Sequence, residues 1–419
     1  MELKKYKLGE IATIVNGATP STSDIDNYDG DIVWLTPKDL SDQDVKYISK
    51  GNRNITQKGY DSCSTQMIPP YNILMSSRAP IGLLAINQTE CCTNQGFKNI
   101  VVDKSICDAD FMYYYLKYNI RQIESLGSGT TFKEVSKQSL EKYEVKLPSL
   151  QEQRDIAALL SAIDDKIFLN RAINQNLEAM AKQLYDYWFV QFDFPNENGK
   201  PYKSCGGKMV WNEKLKREIP EKWHSDNICL IADILSGGTP SKQINEYWNC
   251  GHIPFFGPTD YNGSIFQLQT ADKITESGLQ HCSSSLFEEN TIIITARGSI
   301  GKLVIVGTPM AMNQSCYALK SKNEEYEYLY FLTIQLIESL KAKGSGSVFK
   351  SIIVSDIENT MLCVANKRII SLFCDKVSPI MKQIKKNTQE MIHLIKQRDE
   401  LLPLLMNGQV SVNSDLSAY

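Results

Sequence analysis

Four short strings rich in hydroxyl, amide and basic side chains stand in the first half of the chain and return, in the same order, in the second. Asn16-Gly-Ala-Thr-Pro-Ser21 is answered by Ser236-Gly-Gly-Thr-Pro-Ser241, and Ser77-Arg-Ala-Pro-Ile-Gly82 by Ala296-Arg-Gly-Ser-Ile-Gly301. Asn94-Gln95 is answered by Asn313-Gln314, and Gly127-Ser-Gly-Thr-Thr-Phe-Lys133 by Gly344-Ser-Gly-Ser-Val-Phe-Lys350. Such side chains, with exposed backbone N–H groups, are the ones that meet phosphates and base edges. Asn and Gln bind adenine bidentately, and Arg or Lys bind guanine. The candidate DNA-binding residues in the first half are Thr19, Ser21, Lys38, Arg78, Asn94, Gln95, Ser128, Thr130, Thr131 and Lys133. In the second half they are Thr239, Ser241, Lys242, Thr259, Arg297, Asn313, Gln314, Ser345, Ser347 and Lys350. Each string also has a plain structural reading. Gly-Thr-Pro-Ser is a common turn, and Arg78 or Arg297 could cap a strand or pair with a carboxylate. The hydroxyl-rich loops ending in Lys133 and Lys350 are the best DNA candidates on chemistry alone.

Catalytic chemistry is not found in the sequence. His224, His252, His281 and His393 have no metal-ligand spacing. There is no G-x-x-x-x-G-K-[ST] phosphate loop and no G-x-S-x-G elbow. Ile68-Pro-Pro-Tyr71 is close to the tetrapeptide of amino-methyltransferases, but that motif begins with an Asn, Asp or Ser acceptor. Ile68 has no acceptor, so the string reads as a turn before a strand at Asn72.

The elements that must position the strings follow from the repeat. The offset between copies shrinks only from 220 (Gly17 to Gly237) to 217 (Lys133 to Lys350), far too long a period for a solenoid. The chain is a tandem pair of similar domains. In each, a short β-like run, Asn72–Ser76 or Thr291–Thr295, ends before the Arg string. Return strands are expected at Leu83–Ile86 and Lys302–Val306, and helices at Phe111–Tyr118 and Tyr326–Leu340. The glycine-serine strings should be mobile surface loops. From about Gln151 to Trp188 there is no Gly or Pro, and Ile156, Leu160, Ile163, Ile167, Leu177, Ala181, Leu184 and Trp188 step by threes and fours. A second run, about Asn366 to Met406, has the seam Ile370, Phe373, Val377, Ile380, Ile384, Met391, Ile395, Leu402 and Leu405. Asn170, Asn174 and Asn387 fall in these seams, and Pro379 would remove one helical hydrogen bond.

The expected fold class is therefore α+β: two similar mixed α/β domains in tandem, each followed by a long helix. The two helices should pack as an antiparallel coiled coil with pseudo-two-fold symmetry. The expected boundaries are 1–148 for the first domain, 149–192 for the first helix, 193–222 for a linker, 223–365 for the second domain, 366–408 for the second helix and 409–419 for a tail.

Composition excludes other classes. The 419 residues suggest two to four domains, and 42% hydrophobic with 22% charged residues is an ordinary globular balance. No run approaches the 18 apolar residues of a membrane-spanning helix, and no signal peptide is expected at the N-terminus. Eleven cysteines without C-x-x-C spacing fit a reducing cytosol. Net charge is −3, so an anionic partner must be met by a local basic surface.

With these residues in hand, the chain resembles the specificity (S) subunit of type I restriction–modification systems. The resemblance rests on Leu8-Gly-Glu-Ile with Gly17-Ala-Thr-Pro20, Trp34-Leu-Thr-Pro-Lys-Asp-Leu40, Leu150-Gln-Glu-Gln-Arg-Asp-Ile156, Leu160-Ser-Ala-Ile-Asp-Asp-Lys-Ile167, Tyr187-Trp-Phe-Val-Gln-Phe-Asp193 and Glu218-Ile-Pro-Glu-Lys-Trp223. It implies two target recognition domains, each reading one half of a split site in double-stranded DNA. The helices would set the spacing and recruit two modification (methyltransferase) subunits. Those partners would carry S-adenosylmethionine, and restriction subunits would use ATP and Mg to translocate and cut. This chain would bind no cofactor and no metal, touch no membrane and act in the cytoplasm without catalysing a reaction. Two alternatives remain open to the sequence: the recognition subunit of a related fused methylase–nuclease system, and a non-DNA coiled-coil scaffold.

Overall fold

The computed structural model describes residues 2–43, 45–129, 133–343 and 351–412. The chain divides into two compact units, Met1–Lys166 with the segment from Leu394, and Ile167–His393.

In the first unit, a five-stranded sheet has the order Ala12–Asn16, Lys98–Val102, Ile73–Ser77, Ile81–Asn87, Tyr47–Ile48. All neighbours are antiparallel except the last pair, which is parallel. A three-stranded sheet, Arg53–Ile55, Tyr28–Leu35, Cys92–Thr93, lies beside it in sequence space. The second unit repeats this order: Ala232–Ser236, Cys316–Ser321, Ile292–Thr295, Leu303–Val306, Phe266–Gln267, with Asp272–Ile274, Ile253–Phe256, Ala311–Met312. The central strands are buried on both faces, which is why they read as unbroken apolar runs without alternation. Ile292 and Ile294 enter one core and Ile293 the other. The helices Ala109–Tyr118 and Tyr326–Lys343 cover one face of their own sheets.

The mixed α/β class is thus confirmed, with one long helix after each globular repeat. The first runs Leu150–Tyr185 and finishes in a π-turn at Asp186–Val190; the second runs Lys367–Met406, through both Pro379 and Pro403. Within the second unit the helices run antiparallel, because Asn170 meets Glu390 (3.0 Å) while Asn174 meets Asn387 (2.9 Å). The Asn174 amide also donates to Thr388 Oγ1 and the Ile384 carbonyl. Buried Asn pairs of this kind fix register at a cost in stability. Met381, not Ile380, takes the fully buried seam position between Val377 and Ile384. The helix therefore keeps its four-residue step through the proline.

In the first unit the helices are tied to the globular repeat by polar contacts. Gln153 accepts from the Asp108 N–H and donates to the Ile106 and Pro148 carbonyls. Tyr114 donates to Asp164 (2.7 Å), which also pairs with Arg398 (2.8 Å). Lys46 joins Asp110 and Ser161.

Segment 193–222, the expected linker, has secondary structure of its own. It holds the hairpin Met209–Asn212 with Arg217–Pro220, and the Phe194 ring stacks on Tyr202 (4.6 Å) and Trp223 (4.9 Å). These aromatic rings bury enough apolar surface to order a turn-rich stretch.

Two predictions follow from the second unit. Phe373 is fully buried among Tyr185, Trp188, Phe189 and Phe331. Phe373→Ala should destabilise by about 3–5 kcal/mol in denaturant titration. Burial pushes the Glu178 carboxyl up to about 7. A carboxyl raised on folding gives its stabilisation below its unfolded value and loses it as pH rises through about 7. Glu178→Gln should therefore raise the melting temperature at pH 8 and leave it unchanged at pH 4.

Candidate nucleic-acid interface

Three of the repeated strings converge at one end of the sheet in each globular repeat. Gly17 follows the strand Ala12–Asn16 and lies on the backbone after Cys92–Thr93; a Cβ there would sit 2.1 Å from the Asn94 carbonyl oxygen. Gly237 makes the same approach, with 2.1 Å to the Asn313 carbonyl oxygen. Only glycine permits this. The approach is stitched by Ala18 N–H to the Thr93 carbonyl (2.9 Å) and Gly238 N–H to the Met312 carbonyl (3.0 Å). It brings the Thr19 hydroxyl onto Gln95 Oε1, and Thr239 onto Gln314 Oε1. The two strings, 76 and 75 residues apart, thus form one polar pair in each copy.

The Arg string joins at the same place. Ser77 donates its N–H to the Gly96 carbonyl (2.7 Å), and Ala296 to the Ser315 carbonyl (2.7 Å). Arg78 and Arg297 follow directly. The residues that follow the fourth string bond to the same strand end: Val135 N–H donates to the Ser77 carbonyl (3.0 Å), and Ile352 N–H to the Ala296 carbonyl (2.9 Å). Ser128 and Glu134 close the first loop by exchanging backbone bonds of 3.1 and 3.0 Å, leaving Ser128 and Lys133 exposed. Thr130, Thr131, Ser345, Ser347 and Lys350 lie outside the described residues.

Lys38 and Thr259 occupy equivalent first helical turns, Lys38 in the helix Pro37–Gln43 and Thr259 in the short 3-10 helix Pro258–Asp260. Asp39 accepts from the Thr36 N–H (2.7 Å) and the Asn52 N–H (2.8 Å). Asp260 accepts from the Gly257 N–H (2.8 Å) and the Ala271 N–H (2.9 Å). Both turns stand on the amide string, since Asn94 N–H donates to the Leu35 carbonyl and Asn313 N–H to the Phe256 carbonyl. The side chains of Asn94 and Asn313 are turned inward to the Gly96 and Ser315 N–H groups, so they shape the loop while Gln95 and Gln314 stay exposed. Ser21 is exposed beside Ser23. Ser241 has its carbonyl held by Trp248, over whose ring the Lys242 ammonium lies at 5.4 Å.

Several participants were missed in the sequence. Trp34 and Tyr28 hold the first Gly-Ala-Thr-Pro string through the Ala18 and Pro20 carbonyls. Glu134 accepts from Lys98 (3.0 Å) and pairs with Arg78 (3.7 Å). Burial alone would raise the Glu134 carboxyl, but Lys98, Arg78 and the Ser77 hydroxyl outweigh it and hold it below the usual carboxylate range. The common three-residue step from Thr36 to Asp39 and from Gly257 to Asp260 was a legible signal for a further repeat.

Among the described residues no three His, Cys, Asp or Glu side chains gather as a metal site, and no helix is long and apolar enough to cross a membrane. Ile68-Pro-Pro-Tyr71 is a turn: Ile68 bridges Cys91, and Tyr71, at φ 58°, donates to the Asn87 carbonyl.

The chain was compared with known proteins. The family model of the type I restriction modification DNA specificity domain matches residues 1–179 and 220–390. The MjaIX type I restriction enzyme specificity subunit of Methanocaldococcus jannaschii is 32% identical over 98% of this chain and 94% of its own length. The HindI specificity subunit of Haemophilus influenzae is 24% identical over 75% of this chain and 80% of its own. The crystal structure of the S subunit from M. genitalium shares the fold, with a TM-score of 0.61 over 97% of this chain and 96% of that one at 17% identity. Two matched domains, each carrying the same convergent loops, place this chain in the family of type I restriction–modification specificity subunits.

Proposed function

We propose that each globular repeat of this non-catalytic, DNA-selecting subunit reads one half of a bipartite duplex site with the loops gathered at its sheet end. One observation carries the reading: three strings kept in both copies meet at a single place in each, and in the first copy the described ends of the fourth join them. Exposed Arg297, Lys133 and Lys242 supply charge for phosphates, and exposed Gln95 and Gln314 supply amides for base edges. The residues that differ between the copies at that place give unlike half-sites.

The long helices set the unread spacer and recruit two modification subunits, which would carry S-adenosylmethionine; restriction subunits would bring ATP and Mg. The complex would work in the cytoplasm. A surface feature supports recruitment by the first helix. Leu169, Ile173 and Met180 fall on one helical face and are 57%, 37% and 57% exposed, with Phe168 beside them at 59%. Exposed apolar stripes of this kind mark protein contacts. On the second long helix Leu404, at 37%, is the one large apolar side chain so exposed among the described residues.

Exchanging residues 1–148 for the equivalent domain of another specificity subunit should change one half of the methylated site, read by methylome sequencing, and keep the other. Change in both halves, or in neither, would refute independent reading. Leu169→Glu with Met180→Glu should leave the melting temperature near that of the parent and abolish co-purification of the modification subunit. Retained co-purification would place that contact elsewhere.

A further inference from the structure

The two interfaces differ at one electrostatic point. In the first repeat Arg78 has a carboxylate partner, Glu134, at 3.7 Å; the nearly buried Lys98 holds that carboxylate at 3.0 Å, and the Ser77 hydroxyl lies 3.4 Å away. Glu134 stays 38% exposed and Arg78 40%, so both face the loop cluster. In the second repeat the equivalent positions are Ser351 and Tyr317. The backbone fixes the equivalence: Val135 after Glu134 and Ile352 after Ser351 make the same bond to the residue before the arginine, and Asn16 pairs with Lys98 as Ser236 pairs with Tyr317. Among the described residues the Arg297 guanidinium makes no ion pair, and the segment 344–350 contains no acidic residue.

We infer that Glu134 is a specificity-determining residue of the first repeat: it withholds Arg78 from backbone phosphates, whereas the unpaired Arg297 makes the second repeat the salt-dependent anchor. This rests on the loop clusters being the DNA interface. The physics is that of discrimination by repulsion. A carboxylate at a duplex surface repels phosphates, so it penalises sequence-independent binding. It still accepts from a base-edge amino group such as cytosine N4, and it releases Arg78 when a guanine competes for it. Lys98 shares that carboxylate but is nearly buried, so the exposed Arg78, with Glu134 beside it, displaces less counterion on binding than a free arginine, which displaces about one.

The test is a salt titration of the full chain with its modification subunits, on duplexes carrying the methylated motif and on scrambled duplexes. Arg297→Ala should reduce the slope of log affinity against log salt by ~1, and Arg78→Ala by clearly less. Glu134→Gln should steepen the slope and raise affinity for scrambled duplex more than for the motif. Ser351→Glu, the reciprocal change at an exposed loop, should reduce the slope by ~1, about 3.5-fold in affinity between 50 and 200 mM salt. This variant decides the matter if Glu134→Gln does not fold. Equal slopes for Arg78→Ala and Arg297→Ala, or an unchanged motif-to-scrambled ratio for Glu134→Gln, would overturn the inference. If Arg297→Ala and Ser351→Glu both leave slope and affinity untouched, the clusters are not at the duplex, and the interface reading itself fails.

Discussion

The candidate DNA interface of each repeat depends on a backbone contact that leaves no room for a side chain. At Gly17 and Gly237 the chain passes so close to the Asn94 and Asn313 carbonyls that a single methyl group would overlap them. That contact draws strings far apart in the chain into one polar cluster. It sets Thr19 on Gln95 and Thr239 on Gln314, and the amide strings in turn receive the Arg strings through Gly96 and Ser315. The sheet supplies rigidity beneath, because its central strands are buried on both faces. Binding groups on loops held by such a scaffold lose little entropy on meeting a ligand.

The helices obey a different constraint. A long amphipathic helix needs a partner for its apolar face, and an all-apolar seam would slide. Asn174, Asn387 and Thr388 form a bonded set inside the second unit's seam, and Asn170 reaches Glu390 beside it. In the first unit the corresponding work is done by charge, with Asp164 shared between Tyr114 and Arg398. The first device fixes the register of the two helices on each other, and the second fixes where the first globular repeat sits along its helix. A spacer-setting role requires that fixity.

Much of this was legible in the sequence. The repeat is visible as collinear strings; the limits of the first long helix follow from the absence of Gly and Pro, and those of the second, which runs through Pro379 and Pro403, from the three-four step. What could not be read was partnership. The interior Asn residues announce a register but not their mates; that Asn174 meets Asn387 needs the antiparallel alignment. Glu134 stands directly after the first glycine-serine string, and its pairing with Lys98 across 36 positions depends on strand order. The choice of Met381 over Ile380 hangs on how the helix passes Pro379. Segment 193–222 was misleading because turn-forming residues outnumber its aromatic ones, yet stacked Phe194, Tyr202 and Trp223 decide its order.

The most direct test of the central claim alters the contact on which the cluster depends. Hydroxyl-radical footprinting of the assembled complex on its methylated duplex should show two protected tracts. With Gly17→Ala, the added methyl must displace the Asn94 backbone, and one tract should vanish while the other keeps its position and depth. Gly237→Ala should erase the complementary tract. Retention of both tracts with either substitution, or loss of both tracts from a chain that still folds, would contradict the account.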